Sequence, residues 1–216
     1  MPKPTTTRRK FLKAAGTTAA GFMIVPRHVL GGPGYTAPSD IVNVAAIGAG
    51  GKGRGGIRDV ASQNIVALCD VDDKLAADSR ADHPKAAFFR DYRKMLDAHA
   101  GDIDAVIIST PDHTHAITGL ACMALGKHVY IEKPLAHSIE EVRALSEAAK
   151  ANPKLITQMG NQGASGEGIR KTQEIYEAGL LGDVHTVHAF TNRPVWPQGG
   201  GAPEGSTPVP DHFDWN

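Results

Sequence analysis

Gly48-Ala-Gly50-Gly-Lys-Gly53 is the first place in this sequence where residue type and spacing point to chemistry. Glycines spaced G-x-G-x-x-G between an apolar run and a helix-forming stretch let a backbone close round a pyrophosphate. The first permits a tight turn, the second a close backbone approach, and the third the packing of helix on strand. The helix start then aims its free N–H groups at the phosphates. With 24 glycines in the chain the pattern alone carries little weight; its position after an apolar run gives it meaning. Asp70 stands twenty residues after Gly50, at the end of the next apolar run. A carboxylate there receives ribose hydroxyls and repels a 2′-phosphate, which favours NAD over NADP. Asp72 is a weaker candidate for the same task. Asp112, His113 and His115 form a second, ligand-like cluster. It follows Pro111 at a helix start, where Asp112 reads as an N-cap, and no metal site is assigned to it. His185, His188 and His212 are scattered and show no ligand spacing.

The elements that must position these residues alternate strand and helix. Strands are expected at Ile41–Ile47, Ile65–Asp70, Ala86–Phe89, Ile103–Ser109, His128–Ile131 and Leu155–Met159, and a further one in the alternating run Val184–Phe190. Helices are expected over 52–62, 73–80, 92–98, 113–125 with Gly126 after its end, a stretch opened by the capping box Ser138-Ile-Glu-Glu141, and 166–181. Apolar runs alternating with helices at this spacing predict βαβ units, a mostly parallel sheet, and helices on both faces. The fold class is therefore α/β, a Rossmann-type doubly wound sheet.

Composition sets the limits. Of 216 residues, 41% are hydrophobic and 21% charged, which places the body among globular proteins. Lys+Arg and Asp+Glu number 23 each, and this balance argues against a nucleic-acid partner. No apolar run is long enough for a membrane span. Two cysteines, Cys69 and Cys122, are too few for a disulfide scaffold and read as buried thiols. The neutral total hides a basic leader: residues 1–39 hold six basic side chains and no acid, leaving 17 basic against 23 acidic residues beyond. Thr-Arg-Arg-Lys-Phe-Leu-Lys at 7–13, followed by a weakly apolar stretch from Ala14 to Val25, resembles a twin-arginine export signal and predicts a periplasmic or extracytoplasmic location. Residues 1–38 are set apart as leader and linker, 39–160 as the nucleotide domain, and 161–216 as the beginning of a second α/β domain. Residues 191–216 carry five prolines and four glycines, and the chain is expected to be a fragment of a longer protein.

With the glycine turn, Asp70, Ser109-Thr-Pro-Asp-His-Thr-His115 and Tyr130-Ile-Glu-Lys-Pro-Leu135 in view, residues 40–216 resemble the Gfo/Idh/MocA oxidoreductases. The Glu-Lys-Pro element is the most specific part. The resemblance implies an NAD-dependent oxidoreductase acting on a sugar or polyol. It places Gly51 and Lys52 along the phosphate turn beside Gly48, Gly50 and Gly53, and Asp70 on the adenosine ribose. It puts Ser109, Thr110 and Pro111 beside the cofactor, His115 on the nicotinamide side, Glu132 and Lys133 on the family's Glu-Lys pair, and Asn161 at the nicotinamide ribose. It further implies a homo-oligomer for the full-length protein, joined through the open sheet of a C-terminal domain that this chain barely begins. An unpaired Val184–Phe190 strand would then be an aggregation-prone edge. Ala164 stands where relatives with Gly-Asn-Gln-Gly often carry a histidine, so any role of that histidine is lost or moved.

Within that resemblance Lys133 is the candidate catalytic residue. Hydride loss from an alcohol carbon requires the hydroxyl proton to leave. A lysine partly withdrawn from water beside a positive ring gives up its own proton more readily and then serves as base. The competing reading pairs Lys133 with Glu132 at a strand end. Two other functions stay open: a glycosidase that oxidises, eliminates and reduces through NAD, outside the two-carboxylate scheme, and a non-catalytic dinucleotide-binding chain.

Overall fold

The computed structural model describes Gly32, residues 36–193, 200–201 and 205–215. The export-signal residues 7–25 lie outside the described residues. The chain divides into two compact units, Met1–Val42 and Asn43–Asn216. In the first, the described residues include a single 3-10 turn at Pro38–Asp40.

Among its described residues the second unit holds six strands: β1 Asn43–Ile47, β2 Asn64–Cys69, β3 Ala87–Phe89, β4 Ala105–Ile108, β5 His128–Glu132 and β6 Thr157–Gly160. They form one sheet in the order β3-β2-β1-β4-β5-β6, every named pair parallel. The order reverses between β1 and β4, and a doubly wound sheet opens its ligand crevice at the carboxyl ends there. The helices are α1 Gly51–Asp59, α2 Ala77–Asp82, α3 Tyr92–His99, α4 His115–Ala124, α5 Ile139–Ala151 and α6 Glu167–Glu177.

Successive strand residues point to opposite faces, so each apolar run feeds two cores. Ala45, Ile47, Val106, Ile108, Val129 and Ile131 pack with α3, α4 and α5 residues such as Met95, Cys122 and Leu145. Val44, Ala46, Leu68 and Ile107 pack on the other face with Ile57 of α1. Capping supports two of the helices: Asp91 accepts from the Arg93 amide at α3, and Ser138 with Glu141 forms the expected box at α5. Gly126 takes φ +74°, the left-handed conformation that closes the end of α4.

Three expectations differ. The helix expected at 73–80 becomes a turn followed by α2, because the Asp72 carboxylate takes the amides of Lys74 and Leu75 first. Asp112 does not cap α4; it opens a 3-10 turn, and Thr114 precedes the helix. Val184–Phe190 is not a strand: its alternation finds no partner among the described residues, and Val187 and Phe190 are exposed.

Cys69 and Cys122 are buried and unpaired, and burial pushes both thiols up to about 12. Thiolate is the reactive form. Neither cysteine is expected to react with a thiol reagent at neutral pH until the chain unfolds, as a timed labelling assay with and without urea would show.

Candidate functional site

β1 ends at Ile47 and the chain turns at Gly48, whose φ is +82°. A side-chain carbon on Gly48 would lie 2.7 Å from the backbone of Ser109, so the exits of β1 and β4 touch there. A Cβ on Gly53 would stand 1.7 Å from the Gly48 carbonyl oxygen, which fixes how closely α1 sits on the turn. A Cβ on Gly50 would meet Leu75, 2.7 Å away, so this glycine also makes room for the loop after β2. Gly51 is the position that faces open space, with φ +48° and nothing within 4 Å.

α1 starts behind Gly50 with no side-chain cap and no acid in its first turn. The Gly53 amide donates back to the Gly50 carbonyl at 2.9 Å, the Gly51 and Lys52 amides remain as donors, and the Lys52 side chain adds positive charge where the helix dipole is already positive. That placement disfavours the helix and favours an anion. Glycines that open one side, uncapped amides and a nearby cation together fit a pyrophosphate.

Asp70 follows β2. Its Oδ2 accepts from the Gly50 amide at 2.8 Å and its Oδ1 from the Asp72 amide at 2.9 Å. Two bonds leave a carboxylate further acceptor sites, and Asp70 has no cationic partner among the described residues. Asp72, the weaker candidate, is spent on the Lys74 and Leu75 amides and on His212. Those amide bonds, Leu75 first, hold its carboxyl below the usual carboxylate range. Asp73 is held low chiefly by its bond from Arg90.

At the exit of β4, Ser109 and Thr110 are half-buried and Pro111 is exposed. His115 is 1% exposed, and its ring nitrogens lie 2.7 Å from the carbonyl oxygens of Thr110 and Pro134. The expectation put it on the nicotinamide side. The structure shows it buried, tying the loop after β4 to the loop after β5. With His115 turned inward, Asp112 and His113 sit apart from it at the surface, and no group of three or more potential ligands converges among the described residues.

Glu132 ends β5 at 6% exposure. It accepts from Gln162 Nε2 at 2.6 Å and pairs with Lys52 Nζ at 3.5 Å. The Glu132–Lys133 pair of the competing reading is absent from the ion pairs of the described residues. Lys133 is exposed and makes no hydrogen bond or ion pair with the described residues. Asn161 is exposed just past β6, its main chain holding the Met159 and Ala164 turn. Sequence reasoning missed Gln162, which links the exit of β6 to Glu132 and Tyr130, and the role of His212, which reaches Asp72 from 140 positions away.

A doubly wound parallel sheet with an uncapped glycine turn at its switch point and an acid after β2 defines a dinucleotide-binding fold. Residues 42–160 match the Gfo/Idh/MocA family, an oxidoreductase family with an NAD-binding Rossmann fold, and the chain belongs to that family. It is 30% identical to a glycosyl hydrolase family 109 protein of Shewanella pealeana, over 88% of this chain and 47% of that one. The structure resembles myo-inositol 2-dehydrogenase of Lactobacillus plantarum, with TM-score 0.62, 25% identity, and coverage of 67% of this chain and 43% of that one. It also resembles myo-inositol dehydrogenase of Lactobacillus casei in complex with NAD(H) and myo-inositol, with TM-score 0.59, 28% identity, and coverage of 66% and 43%. The chain spans about half the length of the relatives it matches. No helix among the described residues is long and apolar enough to cross a membrane.

Proposed function

We propose that this chain is the cofactor half of an exported NAD-dependent oxidoreductase that moves a hydride between a sugar or polyol and nicotinamide. The observation that carries the reading is the placement of the Gly48–Gly53 turn, Asp70 and Lys133 at the carboxyl ends of β1, β2 and β5. The amides of α1 and Lys52 hold the pyrophosphate, Asp70 the adenosine ribose, and Ser109, Thr110, Pro111 and Asn161 the nicotinamide side. NAD, once bound, supplies a hydride acceptor. Lys133 hydrogen-bonds the substrate hydroxyl and, in its neutral form, takes the proton that must leave the oxygen. Glu132 holds Lys52 and Gln162 in place. The basic leader supports export, and the family supports a homo-oligomer.

Calorimetric titration of NAD and NADP tests the cofactor reading. NAD is expected to bind and NADP to bind more weakly, because a 2′-phosphate would face Asp70. Asp70→Ser is expected to narrow that gap about tenfold, ~1.4 kcal/mol. No heat with either dinucleotide on a folded sample sinks the reading, and a preference for NADP overturns the assignment of Asp70.

The similarity to a glycosyl hydrolase of Shewanella pealeana favours a second reading, a glycosidase that oxidises one carbon, eliminates the leaving group and then reduces the product. Release of nitrophenol from a nitrophenyl glycoside without net NADH would select it. NADH formed in step with polyol consumption would select the dehydrogenase. If NAD binds and neither assay turns over, a non-catalytic dinucleotide-binding chain remains.

A further inference from the structure

The segment from Pro210 to Trp215 returns to the nucleotide fold and lies across the exit of β2. The Asp214 amide donates to the Val71 carbonyl at 2.8 Å, and the Asp73 amide donates to the His212 carbonyl at 3.0 Å. Asp72 and Phe213 form an antiparallel bridge, beside a sheet whose named pairs are all parallel. His212 Nδ1 stands 3.1 Å from Asp72 Oδ1.

We propose that this strap is part of the adenosine end of the cofactor site, and that His212 is a positioning residue for the ribose-binding carboxylate. The inference rests on the dinucleotide reading given above. Its physical basis is a continuous series of short bonds. His212 reaches Asp72 Oδ1, the oxygen that also accepts the amides of Lys74 at 2.8 Å and Leu75 at 3.0 Å. The Asp72 amide donates to Asp70 Oδ1 at 2.9 Å, and the other Asp70 oxygen accepts from Gly50 at 2.8 Å. Leu75 in turn fills the space beside Gly50. A change at His212 thus reaches both the ribose acid and the glycine turn.

Asp214 of the strap lies near enough to Arg90 to act on its charge. Asp73 is paired with Arg90 and, at 3.8 Å, with Arg80. The side chain of Asp72 is 12% exposed and that of His212 40% exposed. His212 can therefore be truncated without opening a core, and Asp72 keeps the Lys74 and Leu75 amides when the imidazole is removed.

The test compares NAD with its analogue lacking the adenosine 2′-hydroxyl, titrated into the wild-type chain, His212→Ala and His212→Gln. Wild type is expected to prefer NAD roughly tenfold, the scale of one hydrogen bond to a charged group. His212→Ala is expected to lose most of that preference while keeping its thermal midpoint, because the carboxylate no longer sits where the hydroxyl needs it. His212→Gln, which restores a donor, is expected to recover it. Equal weakening of both ligands in His212→Ala means a structural role only and overturns the proposal, as does an unchanged preference or a lost thermal transition. A wild-type chain that binds both ligands equally refutes Asp70 as the ribose acid and the proposal with it. A wild-type chain that binds neither refutes the dinucleotide reading itself.

Discussion

Gly53→Ala is expected to abolish dinucleotide binding, by at least about a hundredfold or ~2.7 kcal/mol, and to lower the thermal midpoint. The added carbon would overlap the Gly48 carbonyl oxygen at 1.7 Å, a backbone atom with nowhere to go. α1 must then lift from the turn, at the cost of overpacking, about 1–3 kcal/mol or more, and its amides no longer converge on the phosphate position. Gly55→Ala, two residues along the same helix, is the matched control. A Cβ there meets nothing within 4 Å. It is expected to leave binding unchanged and to stabilise the helix by about 0.5–1 kcal/mol. Calorimetry and thermal melts on both variants decide the matter: if Gly53→Ala binds NAD as the wild type does, the turn is a packing device and nothing more.

Lys133→Ala is expected to lower turnover by about 10²–10⁴-fold, the usual range for removing a general acid–base group, in the protein that carries this chain. Affinity for NAD should stay the same. The separation follows from the geometry. Lys52, not Lys133, pairs with Glu132, so removing Lys133 breaks no ion pair among the described residues. Lys133 is exposed, so its removal opens no core. Steady-state rates with a polyol, alongside the NAD titration, check both halves. Unchanged turnover would remove Lys133 from the mechanism.

The strands were legible because a buried parallel strand needs little more than an apolar run that ends at Gly, Pro or an acid. Ile103–Ser109 and His128–Ile131 are such runs, and β4 and β5 lie within a residue or two of them. The same reasoning misplaced Val184–Phe190, since alternation describes a face only when a neighbouring strand supplies the other half of the ladder. The glycine turn was legible as a pattern but not in its division of labour. Whether a glycine is small for a ligand or for a neighbouring loop depends on what lies beside it, and Leu75 is 25 residues from Gly50 in the chain. His115 shows a related limit. Its place after Ser109-Thr-Pro111 marked it as important, but only the packed loops reveal two carbonyls closing on its ring. The role of His212 left no trace at all, because a contact over 140 positions has no spacing to recognise.

The two amides on Asp70 have a consequence for the kinetics of recognition. A free aspartate at a strand end samples several rotamers, and a ligand that needs one of them must supply the lost freedom, about 0.5–1.5 kcal/mol for a side chain immobilised on binding. Asp70 has surrendered that freedom during folding, to Gly50 on one oxygen and Asp72 on the other. A ribose bound at Asp70, as proposed above, would meet an acceptor already aligned, with no search for the right conformer before its capture. Differences in affinity among adenosine-bearing ligands should appear in how slowly they leave, with rates of arrival that scarcely change.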